Sequence, residues 1–190
     1  MGVVAQPRMP GGGGGIWVNG ASNLLRNCLI VGNGSGAGDR GGGVGGQGAG
    51  ASIENCTIVS NFASGIGAVT ANSNNYQVVN TISYFNVGAA MYPGSNGVLN
   101  VSNSCVTSTN YVTSGAGNIT NNPLFMNVAG GNYRLIKTSP CVNAGVNQAW
   151  MMGALDLDGA LRISPKVGGT VDIGAYEFYF SASGTLLSVQ

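Results

Sequence analysis

The residues best suited to chemistry are two acids near the C-terminal end, Asp156 and Asp158, which are followed by Arg162 and Lys166. Residues two apart in an extended strand point to the same side, so these two carboxylates would lie together. Neighbouring carboxylates can hold a calcium ion, and an Arg or Lys nearby can act as a base. The simpler interpretation is structural, because Asp and Glu readily cap backbone NH groups or pair with arginine. We therefore predict that Asp156, Asp158 and Arg162 form contacts and ion pairs within this block, with Arg134 as a further partner.

Several kinds of catalytic site are excluded by what the sequence lacks. It contains no histidine, which rules out a Ser-His-Asp triad, a Cys-His pair and any His-ligated zinc or copper site. The acids outside the C-terminal block, Asp39 and Glu54, come from separate regions and do not predict a hydrolase. The glycine-rich residues 41–46 have neither the lysine of a Walker loop nor a following helix, so nucleotide binding is not predicted. We predict no catalytic residues, no metal and no cofactor.

The four cysteines divide into two pairs by position. Cys28 and Cys56 occupy the same place in two copies of a repeat, where they would form either a disulfide or, as we favour, a stack of buried thiols. Cys105 and Cys141 lie outside that place and are the candidates for a structural disulfide that joins the last repeat to the segment after it. Such a bond would stabilise the fold by about 3–4 kcal/mol in the chain-entropy model. An even number of cysteines with few charges favours an extracellular protein.

Two aromatic residues are candidates for carbohydrate binding. Trp17 lies next to an inward-facing isoleucine and should point outward, and Tyr84 stands where earlier repeats carry valine. Sugar rings stack on such side chains through their apolar faces. The alternative is that each ring covers its own part of the protein wall.

A repeated motif predicts the fold that positions Trp17, Tyr84 and the first three cysteines. Residues 24–33 read LLRNCLIVGN and residues 52–61 read SIENCTIVSN, and looser copies occupy residues 77–86 and 100–106. A period in the twenties with β-branched residues and Asn or Gly punctuation is typical of a solenoid in which each repeat forms one coil. We predict an all-β fold, a parallel β-helix of about four to six coils.

The period of two within each copy predicts which side chains face the core. Aliphatic residues stand two places before the first Asn of the motif, and nearly always three places after it. Arg26 and Glu54 belong to the column just before that Asn, which we expect to face water, and they should form an ion pair. The inward columns are Leu25, Ile53, Val78 and Val101, and Ile30, Ile58, Ser83 and Val106. The Asn residues themselves, predicted to form left-handed corners and pass amide hydrogen bonds along the stack, are Asn27, Asn55, Asn80 and Asn103.

The remaining segments complete the predicted organisation. Residues 1–15 are either a flexible lead or an incomplete coil, residues 16–117 are the coils, residues 118–178 form a C-terminal cap over the last turn, and residues 179–190 are a strand-like tail. Within the coils, the dipeptides at Gly15, Gly43 and Gly65 are interpreted as the same place in successive coils, and glycine-rich residues 34–50 as a loop that bulges from a corner.

Composition narrows the possible partners. Only 7% of the residues are charged and the net charge is +1. A nucleic-acid-binding surface needs clustered Lys and Arg, so no nucleic-acid partner is predicted. Membrane insertion is not predicted either, because no apolar run reaches about 18 residues.

The C-terminal block carries a family resemblance. Its segments are NPLF (122–125), YRL (133–135), SPC (139–141), DLDG (156–159) and VDIGAYE (171–177). In combination with the repeats, this block resembles that of secreted right-handed parallel β-helix proteins of the pectin-lyase-like fold, in particular the bacterial surface proteins often called choice-of-anchor Q proteins. The resemblance implies a right-handed β-helix, export, and placement in larger extracellular or envelope proteins. It implies no specific activity.

These observations predict a non-enzymatic, extracellular or cell-surface β-helix module with a structural or adhesive role. Head-to-tail self-assembly is one option, in which an open first coil pairs with the tail or cap of another copy. The alternative is a protein of the same fold that binds or cleaves an extracellular polysaccharide, with lyase chemistry as the enzymatic version.

Overall fold

The computed structural model describes most of the chain between the first coil and the end of the C-terminal block. Its described residues are 14–19, 23–36, 41–47, 50–63, 69–71, 75–89, 91–94, 96–110, 112, 114–163 and 169–179. Most of the predicted lead and tail, the Gly65 dipeptide, Asp39 and Lys166 lie outside them. The strands are β1 Ile16–Asn19, β2 Asn23–Arg26, β3 Leu29–Val31, β4 Gly34–Ser35, β5 Val44–Gln47, β6 Ala51–Glu54, β7 Thr57–Val59, β8 Phe62–Ala63, β9 Val69–Thr70, β10 Asn75–Val79, β11 Ile82–Tyr84, β12 Met91–Tyr92, β13 Val98–Ser102, β14 Cys105–Val106, β15 Phe125–Asn127 and β16 Asn132–Leu135, and a single 3₁₀ turn covers Ala149–Met151.

The strands stack into walls that run along the solenoid. Within the described residues, three four-stranded sheets have the orders β1-β5-β9-β12, β13-β10-β6-β2 and β14-β11-β7-β3, and β4 pairs with β8. Every pairing in these sheets is parallel. Strands of one sheet therefore come from successive coils, which confirms the predicted parallel β-helix.

The predicted register holds through the coils. Leu25 pairs with Ile53, Ile53 with Val78, and Val78 with Val101. These side chains are buried and belong to one core cluster together with Ile30, Ile58 and Val106. The two aliphatic columns thus form a continuous hydrophobic core, as the period of two predicts.

One part of the register prediction was wrong. Ile16 pairs with Val44 as predicted, but Val44 pairs next with Val69 and not with Ile66. The second coil is shorter than the first, so the position that matches Val44 comes 25 residues later, at Val69, instead of 28.

The column before the corner Asn, which was predicted to face water, is only partly exposed. Arg26 and Glu54 do form the expected pair, with Arg26 Nε and NH2 at 2.9 and 2.8 Å from one carboxylate oxygen. Glu54 is only 9% exposed, and the guanidinium of Arg26 lies 4.0 Å from the ring centre of Trp150. The C-terminal block therefore covers part of this column at Arg26, which period-two reasoning about an isolated coil could not reveal.

The corner asparagines adopt the predicted left-handed conformation. Their φ angles are 54° for Asn27, 46° for Asn55, 50° for Asn80 and 45° for Asn103. Only one amide bond between neighbours follows the stack, from Asn80 Nδ2 to Asn55 Oδ1 at 3.3 Å. Their amides otherwise serve mainly to hold the C-terminal block.

A second, buried asparagine column forms the continuous amide ladder. Asn61 Oδ1 accepts from Asn33 N and Nδ2 at 3.0 and 3.1 Å. Asn86 Oδ1 accepts from Asn61 N and Nδ2 at 2.9 and 3.1 Å. Each amide thus satisfies backbone and side-chain groups at a corner inside the wall.

The glycine-rich region is only partly a loop, which corrects the prediction for residues 34–50. It contains strand β4 at Gly34–Ser35 and strand β5 at Val44–Gln47, and β5 lies between β1 and β9 in the sheet. A side chain at Gly46 would lie 2.4 Å from both the Tyr76 hydroxyl and Val18 Cγ2. Glycine is used here because the walls of adjacent coils leave no room for a Cβ atom.

The C-terminal block first extends the stack and then returns along its side. Isolated parallel bridges join Ser114 to Asn100 and Ile119 to Cys105, and β15 and β16 form an antiparallel hairpin. Residues 143–163 and 169–177, here called the return segment, then run past the corner asparagines. Asn27 Nδ2 donates to Leu155 O at 2.8 Å, Asn55 Nδ2 to Asp172 O at 3.3 Å, and Asn80 Nδ2 to Val146 O at 2.9 Å. The block therefore braces three coils along one flank in addition to following the last turn.

Candidate functional site

The return segment places a buried arginine against the solenoid. The Arg162 side chain is 0% exposed. Its NH1 donates to Gly174 O at 2.9 Å and to Glu177 Oε1 at 2.8 Å, while its NH2 donates to Asn27 Oδ1 at 2.6 Å and to Ala175 O at 3.0 Å. One guanidinium thus joins the first coil to the end of the block.

The ion-pair partner of Arg162 differs from the prediction. Its salt bridge is with Glu177 and not with Asp156 or Asp158. A buried charge needs a counter-charge and hydrogen bonds to offset its desolvation, and Glu177 is the carboxylate that reaches it. The Arg162 Nε atom finds no hydrogen-bond partner in the part of the chain that the structure describes.

Asp156 and Asp158 hold the loop in which they lie. Asp156 Oδ1 accepts from the backbone NH groups of Asp158 and Ala160, both at 2.8 Å, and its Oδ2 accepts from the NH of Glu177 at 2.8 Å. Asp158 forms a bidentate salt bridge with Arg134. Both carboxylates therefore accept hydrogen bonds from groups that fix the fold.

Two further acids in the block, Asp172 and Glu177, were not predicted from the sequence to have a role. Burial raises the pKa of Asp172 to about 6, although NH groups of Asn143 and Phe178 favour its charged form. Burial, followed by repulsion from Asp172, raises the pKa of Glu177 to about 8, and Arg162 offsets only part of this shift. The C-terminal block contains four of the six acids in the sequence. This concentration of charge is the signal that could have pointed to Asp172 and Glu177.

A cleft of about 500 Å³ opens beside this cluster. Arg134 and Asp158 line one side, and Glu177 reaches it from the buried cluster. The exposed Tyr179 hydroxyl donates to Leu161 O at the same end of the block. The full lining comprises Met126, Arg134, Leu135, Ile136, Lys137, Asp158, Ala160, Glu177, Phe178 and Tyr179.

The two aromatic candidates lie on different walls. Trp17 is half-buried in β1, where it pairs with Gly45. Tyr84 is half-buried at the end of β11, its hydroxyl donates to Thr120 O at 3.2 Å, and its ring meets Phe85 edge-on at 5.0 Å. Since β1 and β11 belong to separate sheets, the structure does not bring these rings into one binding surface.

All four cysteines are free thiols in the structure, so the disulfide predicted between Cys105 and Cys141 is not present. The structure nevertheless brings these two residues into one buried cluster with Ile82, Leu135 and Ile173.

The described residues hold neither a cluster of metal ligands nor a membrane-spanning helix. They contain no group of three or more His, Cys, Asp or Glu side chains placed to hold a metal ion. In the same part of the chain, no helix is long and apolar enough to cross a membrane. The arrangement suits a structural junction with a neighbouring cleft.

Comparison with known proteins gives one match. The family model described as a right handed beta helix region matches residues 7–125, which is more than half of the chain. No curated protein and no solved structure matches the chain.

Proposed function

Because the chain belongs to the right-handed β-helix family, we propose that it is a non-catalytic structural module that works outside the cell. The resemblance of its C-terminal block to that of choice-of-anchor Q surface proteins supports this placement. In such a role the solenoid supplies a rigid wall, and the return segment keeps its coils in register.

The hydrogen bonds that the carboxylates accept within the fold support this proposal most directly. Each of the five acids in the described residues accepts hydrogen bonds that hold the fold together. Glu54 binds Arg26 and Ser52, Asp156 caps three NH groups, and Asp158 binds Arg134. Asp172 accepts from Asn143 N at 2.6 Å, and Glu177 binds Arg162. A lyase or hydrolase would instead keep acids directed at its substrate.

The test is a search for polysaccharide cleavage. The purified chain is incubated with uronic-acid and neutral polysaccharides, with and without calcium, and polymer length and new chain ends are followed. We expect no shortening of any polymer. Calcium-dependent shortening that disappears in Asp158→Asn, with the fold intact by circular dichroism, would overturn the proposal.

Stacking of copies is a natural extension of this role. In the described part of the chain, β1, β2 and β3 of the first coil each lie at one edge of a sheet, and edge strands can pair with strands from another copy. Sedimentation across micromolar to millimolar concentrations should show growing head-to-tail oligomers. A strict monomer over that range would remove this extension and leave the single-copy module intact.

Polysaccharide binding is a second candidate, and the cleft beside Tyr179 favours it. Phe178 and Tyr179 provide rings on which sugars can stack, and Arg134 and Lys137 provide positive charge for an acidic polymer. Trp17 and Tyr84 remain the competing positions on the solenoid walls. A glycan array should show binding that is lost in Tyr179→Ala and kept in Trp17→Ala. The reverse pattern would move the site to the wall, and the absence of binding would remove this candidate.

A further inference from the structure

The first two coils place two cysteine side chains against each other. Cys28 and Cys56 directly precede a paired position, since Leu29 pairs with Thr57 in the neighbouring strands. Thr57 N donates to Cys28 O at 2.9 Å, which holds the two backbones at the spacing of adjacent strands. Cys28 packs against the core cluster that contains Cys56. Strand spacing of about 4.8 Å also falls within the Cα separation of about 4.4–6.8 Å that a disulfide tolerates.

The two thiols differ in access. Cys28 is half-buried, whereas Cys56 is fully buried. Cys56 Sγ contacts Glu54 O at 3.3 Å and Leu25 O at 3.6 Å, inside the wall. A small reagent can therefore reach Cys28 first, because the wall shields Cys56 from solvent.

The ionisation of the two thiols follows the same order. The hydrogen bond from Cys56 lowers the pKa of Cys28 to about 7, against the opposing effect of burial. Burial raises the pKa of Cys56 well above its usual range. A low-pKa, accessible thiol next to a second thiol that can resolve its adduct is the arrangement found at reactive cysteine pairs.

We propose that Cys28 and Cys56 form a thiol–disulfide exchange site that reacts with small disulfides and closes a covalent bond between the first two coils. The Cys28 thiolate attacks one sulfur of the small disulfide, its S–S bond breaks, and one thiolate leaves. Cys56 then loses its proton to water and attacks the Cys28 sulfur, which releases the second thiolate. The small disulfide gains two electrons and the protein loses two.

The same chain contains a control for this reaction. Cys105 and Cys141 also lie in contact, yet both are fully buried. The hydrogen bond with Cys141, followed by burial, raises the pKa of Cys105 far above its usual range. Two pairs of adjacent thiols are thus present, and only the first combines access with ionisation.

The experiment uses the reduced full-length chain and dithiobis(nitrobenzoate), an aromatic disulfide whose released thiolate absorbs visible light. We expect a fast phase that releases two thiolates per chain and leaves no bound label. Peptide mapping of the product should find a bond between Cys28 and Cys56. A bond between Cys105 and Cys141, a label that stays on Cys28, or the absence of a fast phase would each overturn the proposal.

Two variants separate the steps. Cys56→Ser should release one thiolate in the fast phase and keep the label on Cys28, since nothing resolves the adduct. Cys105→Ser should leave the fast phase of the native chain unchanged. Loss of the fast phase in Cys105→Ser, or continued release of two thiolates in Cys56→Ser, would assign the reaction to the other pair and overturn the proposal.

Discussion

Arg162 donates a hydrogen bond to the side-chain oxygen of Asn27 at 2.6 Å, although 135 positions separate the two residues. The same guanidinium forms the salt bridge with Glu177. The end of the chain and its first coil are therefore joined through one buried cation, whose loss should affect more than the local loop.

Replacing Arg162 with methionine should destabilise the protein strongly. The variant leaves Asn27 Oδ1, Glu177 Oε1 and two backbone carbonyls without their buried donor, and unsatisfied buried groups cost about 1–3 kcal/mol each. Urea denaturation followed by circular dichroism measures the change. Arg134→Met is the matched control, because its pair with Asp158 is exposed and should contribute less than about 1 kcal/mol. Equal effects of the two variants would contradict the assigned role of Arg162.

Replacing Asn61 with alanine should break the buried amide ladder. Asn61 Nδ2 donates to Ile30 O and Val59 O, both at 3.0 Å, and these carbonyls would lose a donor inside the wall. An unsatisfied buried group costs about 1–3 kcal/mol, so we expect a loss of about 2–4 kcal/mol in the free energy of unfolding. Asn75→Ala, at an exposed position of β10, should change it by less than about 0.5 kcal/mol. A loss as small as that of the control would show that water replaces the ladder.

The free energy of unfolding should fall as the pH rises from about 4.5 to about 8. Glu177 has a folded pKa of about 8 against an ordinary value of 4.5, so between these values the unfolded chain has lost a proton that the folded chain retains. Each such group changes stability by at most about 1.4 kcal/mol per pH unit. Glu177→Gln should confine the fall to below about 6, where Asp172 titrates.

This pH dependence is best measured by urea denaturation in a Cys28→Ser background. The lowered pKa of Cys28 contributes stability that grows as the pH rises above about 7, in the opposite direction to Glu177. A profile that is flat or rising between pH 6 and 8 in this background would contradict the raised pKa of Glu177.

Replacing Gly46 with alanine should destabilise the sheet that contains β5. Its Cβ would lie 2.4 Å from the Tyr76 hydroxyl and from Val18 Cγ2, and overpacking of this kind costs about 1–3 kcal/mol. Gly34→Ala is the control, because its nearest contact is Phe62 at an ordinary 3.9 Å. Thermal unfolding compares the two, and a tolerated Gly46→Ala would mean that the coils separate more readily than the structure indicates.

The solenoid could be predicted from the sequence because its core is local and periodic. Leu25, Ile53 and Val78 stand at fixed offsets from an asparagine, and the pairing of strands follows from those offsets. The partner predicted for Val44 was wrong because the second coil is shorter than the first. A two-residue motif is also a poor marker of position in a coil. Register prediction is thus reliable where the whole motif repeats and weak where only two residues do.

The cluster around Arg162 could not be predicted in the same way. Its partners Asn27 and Glu177 are distant in sequence and carry no shared period. Which carboxylate reaches the guanidinium depends on how the return segment lies against the coils, and that geometry follows from tertiary packing. The sequence indicated a charged block, whereas the pairing within it required the structure.

The return segment also bears on how the coils come apart. In a solenoid whose repeats touch only their neighbours, the terminal repeat frays first and the loss spreads inward. Here Asn27, Asn55 and Asn80 are all bonded to one segment, so the first coil cannot open without releasing a brace shared with the second and third. The three coils should melt as a single cooperative unit, with backbone amides in the outermost coil as slow to exchange with solvent as those two coils further in.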